Sequence, residues 1–101
     1  MAVLLQVDFP FAGPFGNDMS AALGDLAQHI AGESGLIWKI WTECATQQMA
    51  GGIYLFSDRG SAETYLAMHR ARLTGFGIEG IRAVIFDVNP DLTRITRGPA
   101  D

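Results

Sequence analysis

Gly35-Leu-Ile-Trp-Lys-Ile-Trp-Thr-Glu43, then a polar stretch from Cys44 to Ala50, then Gly51-Gly-Ile-Tyr-Leu-Phe56: the reading of this run decides the fold. Two aromatic-rich, β-branched segments separated by turn-forming residues read as a β-hairpin. Both tryptophans and one of the two tyrosines fall inside it. Side chains alternate along a strand. Leu36, Trp38 and Ile40 therefore share one face of the first strand, and Ile37, Lys39, Trp41 and Glu43 the other. In the second strand Ile53 and Leu55 oppose Tyr54 and Phe56. Gly51 and Gly52 mark a bulge there or a close approach by something bulky.

Upstream, Ala2 to Phe11 alternates as a strand, with Val3, Leu5, Val7 and Phe9 on one face and Leu4, Gln6 and Asp8 on the other. Pro10 ends regular pairing because it lacks an amide donor. Ala-Gly-Pro-Phe-Gly over 12–16 is a tight connection. Asn17 then reads as a helix N-cap, with Asp18 in the first turn. Met19, Ala22, Leu23, Leu26, Ala27 and Ile30 recur at helical spacing as one apolar stripe, and Gly32 stops the helix. Gly24, inside it, permits close packing on a sheet at a cost of about 1 kcal/mol against alanine.

Downstream, Asp58 caps a second helix whose stripe is Ala62, Tyr65, Leu66, His69 and Leu73, with Gly75 or Gly77 as its stop. Ile81 to Val88 forms the last strand, Ala83, Ile85 and Asp87 alternating against Arg82, Val84, Phe86 and Val88. Asn89-Pro90 closes it, and residues 90–101 follow as a polar tail that frays or docks on a partner. The order β-α-β-β-α-β is the ferredoxin-like split βαβ pattern, an α+β fold with an antiparallel sheet and two helices on one face. The other face should not remain bare, and two sheets packed across a twofold would cover it.

The bulk composition is consistent with this. A chain of 101 residues forms a single domain, spanning 1–101. An apolar share of 49% with a mean hydropathy of +0.17 is rich for a small domain and points to an interface or pocket. With a net charge of −4 and seven scattered Lys and Arg, no basic stripe exists to meet nucleic acid or an anionic membrane. One cysteine, Cys44, makes neither an internal disulfide nor a Cys-rich metal site. The opening residues lack a basic leader segment, and no run reaches the ~20 apolar residues of a membrane span. A reducing, cytoplasmic setting is expected.

His69 is the leading candidate for chemistry. It sits in the apolar stripe between Leu66 and Leu73, one turn from Tyr65. It points into a pocket as general base or haem ligand, or it is a buried histidine bonded to a backbone carbonyl or to Tyr65. Trp38, Trp41, Tyr54, Phe56, Tyr65 and Phe9 are candidates to stack on a planar ligand, or are simply core. The alternation, as read, sets Trp38 and Phe9 toward the helices with His69, and Trp41 and Tyr54 toward a dimer partner. Lys39, Glu43, Gln6 and Asp8 fall with Trp41, as interface ion pairs in preference to the polar fittings of a second pocket, and Arg72 reads as a solvated charge. Gly75-Phe-Gly-Ile-Glu-Gly80 matches a dinucleotide pattern but follows a helix and precedes a strand, the reverse of what that motif needs. His29 and His69 lie on different helices and make no zinc spacing.

Gly13-Pro-Phe-Gly16, Trp38-Lys-Ile-Trp-Thr-Glu43, Gly51-Gly-Ile-Tyr-Leu-Phe56, His69-Arg-Ala-Arg-Leu73 and Phe86-Asp-Val-Asn89 together resemble the YdhR family, whose members are described as monooxygenases. The match runs in order over nearly the whole chain. The resemblance implies a ferredoxin-like subunit that pairs as a homodimer into a dimeric α+β barrel. It also implies oxidation of polycyclic phenols to quinones by dioxygen, with no cofactor. A deprotonated phenol can itself reduce dioxygen, so the protein need supply only an apolar pocket, a base and donors for the anion. By that likeness His69 is the base, with Tyr65 beside it, and Trp38, Phe9, Trp41, Tyr54 and Phe56 hold the substrate. The chain departs from the quinone-forming pattern in having no strand asparagine near its tryptophan, since Asn17 and Asn89 lie outside the strands. A haem-degrading relative would use His69 as ligand, but the asparagine and tryptophan that pattern expects are missing. A non-catalytic dimer that binds a small aromatic is the third reading.

Overall fold

Strand β1 (Val3–Pro10) buries Val3, Leu5, Val7 and Phe9 and turns Leu4, Gln6 and Asp8 away, as its alternation requires. The computed structural model describes residues 1–100, and Asp101, the last residue of the expected tail, lies outside the described residues. After β1 come helix α1 (Gly16–Ala31), strands β2 (Leu36–Cys44) and β3 (Met49–Phe56), helix α2 (Arg59–Gly75) and strand β4 (Arg82–Asp87). The four strands form one antiparallel sheet in the order β2-β3-β1-β4, with both helices on the face that carries Val3, Leu5, Val7 and Phe9. This is the ferredoxin-like α+β fold expected from the sequence. The tail is not featureless. It forms a short helix α3 (Pro90–Ile95) capped by Asn89, and Trp38 Nε1 donates to the Pro99 carbonyl at 2.9 Å.

The hairpin carries the main correction. Its strands run to Cys44 and resume at Met49, so the turn is only Ala45–Gln48, closed by Gln48 N donating to Ala45 O. Gly51 and Gly52 lie inside regular pairing, while the bulge sits on β2 between Leu36 and Trp38. One extra residue inverts the alternation beyond it. Leu36 therefore shares the helix side with Phe56, yet Lys39 and Trp41, opposite Tyr54 and Gly52, also face the helices. Trp38, paired with Leu55, faces the opposite way, toward the tail. The expected partition of the aromatic residues therefore holds for Phe9 but not for the hairpin: Trp41 and Tyr54 belong under the helices and Trp38 does not. Asp8 and Gln6 are likewise parted from Lys39 and Glu43, and Asp8 pairs instead with Arg82 of β4 at 2.9 Å.

The helix ends show where local sequence suffices. Asp58 caps α2, its Oδ1 accepting from Ser61 N at 2.7 Å, and these contacts hold the carboxyl below its usual range. Gly77, at φ +85°, ends α2 in a Schellman turn, with Ile78 N donating to Leu73 O and Gly77 N to Thr74 O. Asn17, by contrast, is not the cap of α1. That helix starts one residue earlier, and its first amide, Gly16 N, donates to Glu43 Oε1 of β2 at 2.7 Å. A carboxylate from a distant strand thus meets the positive end of the helix. Nor does Gly24 serve close packing, since a Cβ there would meet nothing within 4 Å.

Candidate active site

Beneath α1 and α2 the sheet does not close completely. A cavity of about 80 Å³ lies against Phe9 of β1, Lys39 and Trp41 of β2, Tyr54 of β3 and His69 of α2. Phe11, Met19, Leu23, Leu26, Leu73, Phe76 and Ile78 complete an apolar rim. The Schellman turn that ends α2 is what brings Ile78 back beside Leu73. No carboxylate lines the cavity among the described residues.

Lys39 is its one amine, and it is also the only lysine in the chain. Its stem crosses Gly52, where a Cβ would come within 2.6 Å of Lys39 Cε, so the glycine leaves the path open. Nζ stands 3.3 Å from the centre of the Trp41 ring and 4.6 Å from that of Tyr54. Those ring faces favour the ammonium by about 1 kcal/mol. Burial favours the neutral amine, with the Arg72 charge as a second cause, and together these push its pKa down to about 7. The desolvation wins. Lys39 meets no carboxylate partner among the described residues.

A chain of polar groups runs behind the cavity wall. Arg72 Nη1 lies 3.3 Å from His69 Nδ1, His69 Nε2 lies 3.4 Å from the Tyr54 hydroxyl, and the Tyr65 hydroxyl donates to that of Tyr54 at 3.2 Å. A guanidinium has donors only, so Nδ1 must accept and the single ring proton of neutral His69 sits on Nε2. Nε2–H then donates to the Tyr54 oxygen. With both acceptor sides of that oxygen taken, Tyr54 keeps its own proton to offer into the cavity. Burial first, then the Lys39 and Arg72 charges, lowers the His69 pKa to about 4, so the ring is neutral at pH 7. Burial raises both tyrosines, which stay protonated.

The sequence-derived candidates therefore divide. Phe9, Trp41, Tyr54 and His69 meet at the cavity; Tyr65 stands one hydrogen bond behind Tyr54, and Phe56, fully buried, stacks on Tyr54 at 6.1 Å. Trp38 is on the far side of the sheet. Arg72 was missed as a site residue, and Lys39 was ranked as an interface charge ahead of a pocket group, although a lone lysine between two tryptophans in a strand is a readable signal. The geometry does not fit haem ligation: His69 is 4% exposed with both ring nitrogens engaged. Among the described residues no group of three His, Cys, Asp or Glu is placed to hold a metal ion, and no helix is long and apolar enough to cross a membrane.

A family model described as "Putative mono-oxygenase ydhR" matches residues 4–99. Solved structures share the fold at 15% sequence identity. One, described as a putative antibiotic biosynthesis monooxygenase from Deinococcus radiodurans, aligns over 88% of this chain and 93% of its own with a TM-score of 0.56. SnoaB, a cofactor-independent oxygenase from Streptomyces nogalater, aligns over 87% and 93% with a TM-score of 0.62. A protein of unknown function from Nitrosomonas europaea aligns over 87% and 89% with a TM-score of 0.59. No curated protein matches the chain.

Proposed function

The chain belongs to the ydhR family, and from that premise we propose that it is a monooxygenase that converts a small phenol to a quinone, with dioxygen and without metal or flavin. The observation that carries this reading is an apolar, aromatic-walled cavity that holds one amine, the Tyr54 hydroxyl and no carboxylate. The printed description of SnoaB as cofactor-independent supports the same chemistry.

In this reading the neutral Lys39 amine accepts the proton of the ring hydroxyl, and Tyr54 donates to the oxygen left behind. The phenolate then reduces dioxygen. A C–O bond forms at the ring carbon para to the hydroxyl, and the proton on Lys39 passes to the outer oxygen. Loss of the hydrogen on that carbon breaks the O–O bond and releases water, so phenol plus dioxygen gives quinone plus water. Trp41, Phe9 and Tyr54 hold the ring. His69 and Tyr65 act through Tyr54 as positioning residues.

A cavity of about 80 Å³ is smaller than the roughly 150 Å³ apolar void that admits one benzene ring, so even a single ring would extend into neighbouring space. Polycyclic substrates would need the adjoining hollow of about 300 Å³ beneath α1, which shares Met19, Leu23 and Trp41. A homodimer completes the proposal: Ile40, Val84 and Phe86 stand 52%, 40% and 45% exposed on the face away from the helices, where a second sheet would cover them. Oxygen-electrode assays with 2-methylphenol and 1-naphthol, each with hydrogen at the para carbon, test the reading. Saturable uptake with quinone formation supports it. Tight binding without uptake leaves a non-catalytic aromatic binder instead.

A further inference from the structure

Six arginines and one lysine make up the basic residues of this chain, and the lysine is the one that enters the cavity. Arginine would serve any purpose that needs only a positive charge, because it does not lose its proton in proteins. A lysine can become a free amine, and a free amine is a nucleophile. Two conditions activate it: an apolar pocket that strips water from the ammonium, and a second cation nearby. Both are met here, the first by the Phe9, Trp41, Leu73 and Ile78 walls and the second by Arg72.

We propose that Lys39 is a covalent carbonyl-capture site, its amine condensing with an aromatic aldehyde stacked on Trp41 to give a Schiff base. The step balances within the site. The Nζ lone pair attacks the aldehyde carbon while Tyr54, whose proton is left free by His69 and Tyr65, donates to the carbonyl oxygen. Tyr54 recovers its proton from the attacked nitrogen and passes it to the carbinolamine hydroxyl, which leaves as water; Tyr54 then takes the remaining iminium proton, and an imine joins Nζ to the former aldehyde carbon. No oxidant or reductant takes part. Nζ lies over the Trp41 ring, 3.3 Å from its centre, so as the amine swings off that face to condense, the aryl group takes its place on the ring. An aliphatic aldehyde would lack that contact. This activity lies beyond oxygenation but rests on the same neutral amine; its test runs without dioxygen, so oxygen uptake by the wild type scores the oxygenase reading separately.

The experiment incubates the full chain anaerobically with benzaldehyde and sodium cyanoborohydride and locates the reduced benzyl adduct by peptide mass spectrometry. Only Lys39 and the α-amine can be labelled, which makes the map unambiguous. At pH 7 an ordinary lysine is almost wholly protonated, so Lys39 should label about 10²-fold faster than Nα-acetyl-lysine amide. The rate should saturate with benzaldehyde, and propionaldehyde should show no saturation. In Lys39→Arg only the α-amine should label. Labelling of Lys39 at the rate of the model amine, a rate linear in benzaldehyde, or labelling confined to the α-amine overturns the proposal. Circular dichroism of both proteins confirms that folded chains are compared.

Discussion

Arg72 Nη1 stands 3.3 Å from His69 Nδ1, and that one contact determines where the histidine carries its proton. A guanidinium cannot accept, so the proton is held on Nε2, against Tyr54. Nitrogen-15 spectra of the histidine ring should show the Nε2–H tautomer alone in the wild type and a mixture in Arg72→Leu. A single Nδ1–H form in the wild type would disprove the relay.

Acid stability follows from the same ring. The His69 pKa is about 4 in the folded chain, against 6.5 as its ordinary value. The unfolded chain therefore binds more protons between those values, and stability falls as pH drops through that window. The full loss approaches roughly 3 kcal/mol. Denaturant titrations should show that slope in the wild type and a weaker one in His69→Gln.

Lys39 acts at the alkaline end. Its folded pKa near 7 lies below the ordinary 10.5, so stability should rise with pH across that interval and be lowest once the amine is charged. Lys39→Met should remove the slope and stabilise the chain at pH 7 by ~1–3 kcal/mol, the lower part of the range reflecting water that reaches the amine. Urea midpoints at pH 7 and pH 10 decide it.

Gly52→Ala tests the path of the lysine stem. A Cβ there would come within 2.6 Å of Lys39 Cε and 3.2 Å of Tyr54 Cε1. The flexible amine should give way, at a stability cost of about 1 kcal/mol or less. Displaced toward water, it should titrate closer to the ordinary lysine value. With one lysine in the chain, a single labelled-lysine resonance reports the shift.

These residues also show how far the sequence could be read. Strand alternation in β1, the Asp58 cap and the glycine stop of α2 depend on neighbours a few positions away, and each was legible. The α1 cap was not, because Glu43, 27 residues from Gly16, supplies it in place of Asn17. The bulge beside Ile37 had no local marker, since no glycine sits there, and one inserted residue moved Trp41 under the helices and Trp38 away, while Tyr54 takes its side from pairing with Leu5 of β1. Lys39 looked like an interface charge for the same reason. Its chemistry comes from burial, which spacing alone does not encode.

Lys39 as the base for a bound phenol is the central claim, and oxygen uptake by Lys39→Met against the wild type, followed across pH with a phenol that the wild type turns over, tests it most directly. The wild-type rate should rise through about pH 7 as the amine loses its proton, and the variant should lose that rise together with roughly 10²-fold of the rate. A variant that consumes oxygen at the wild-type rate, with the same pH profile, would contradict it.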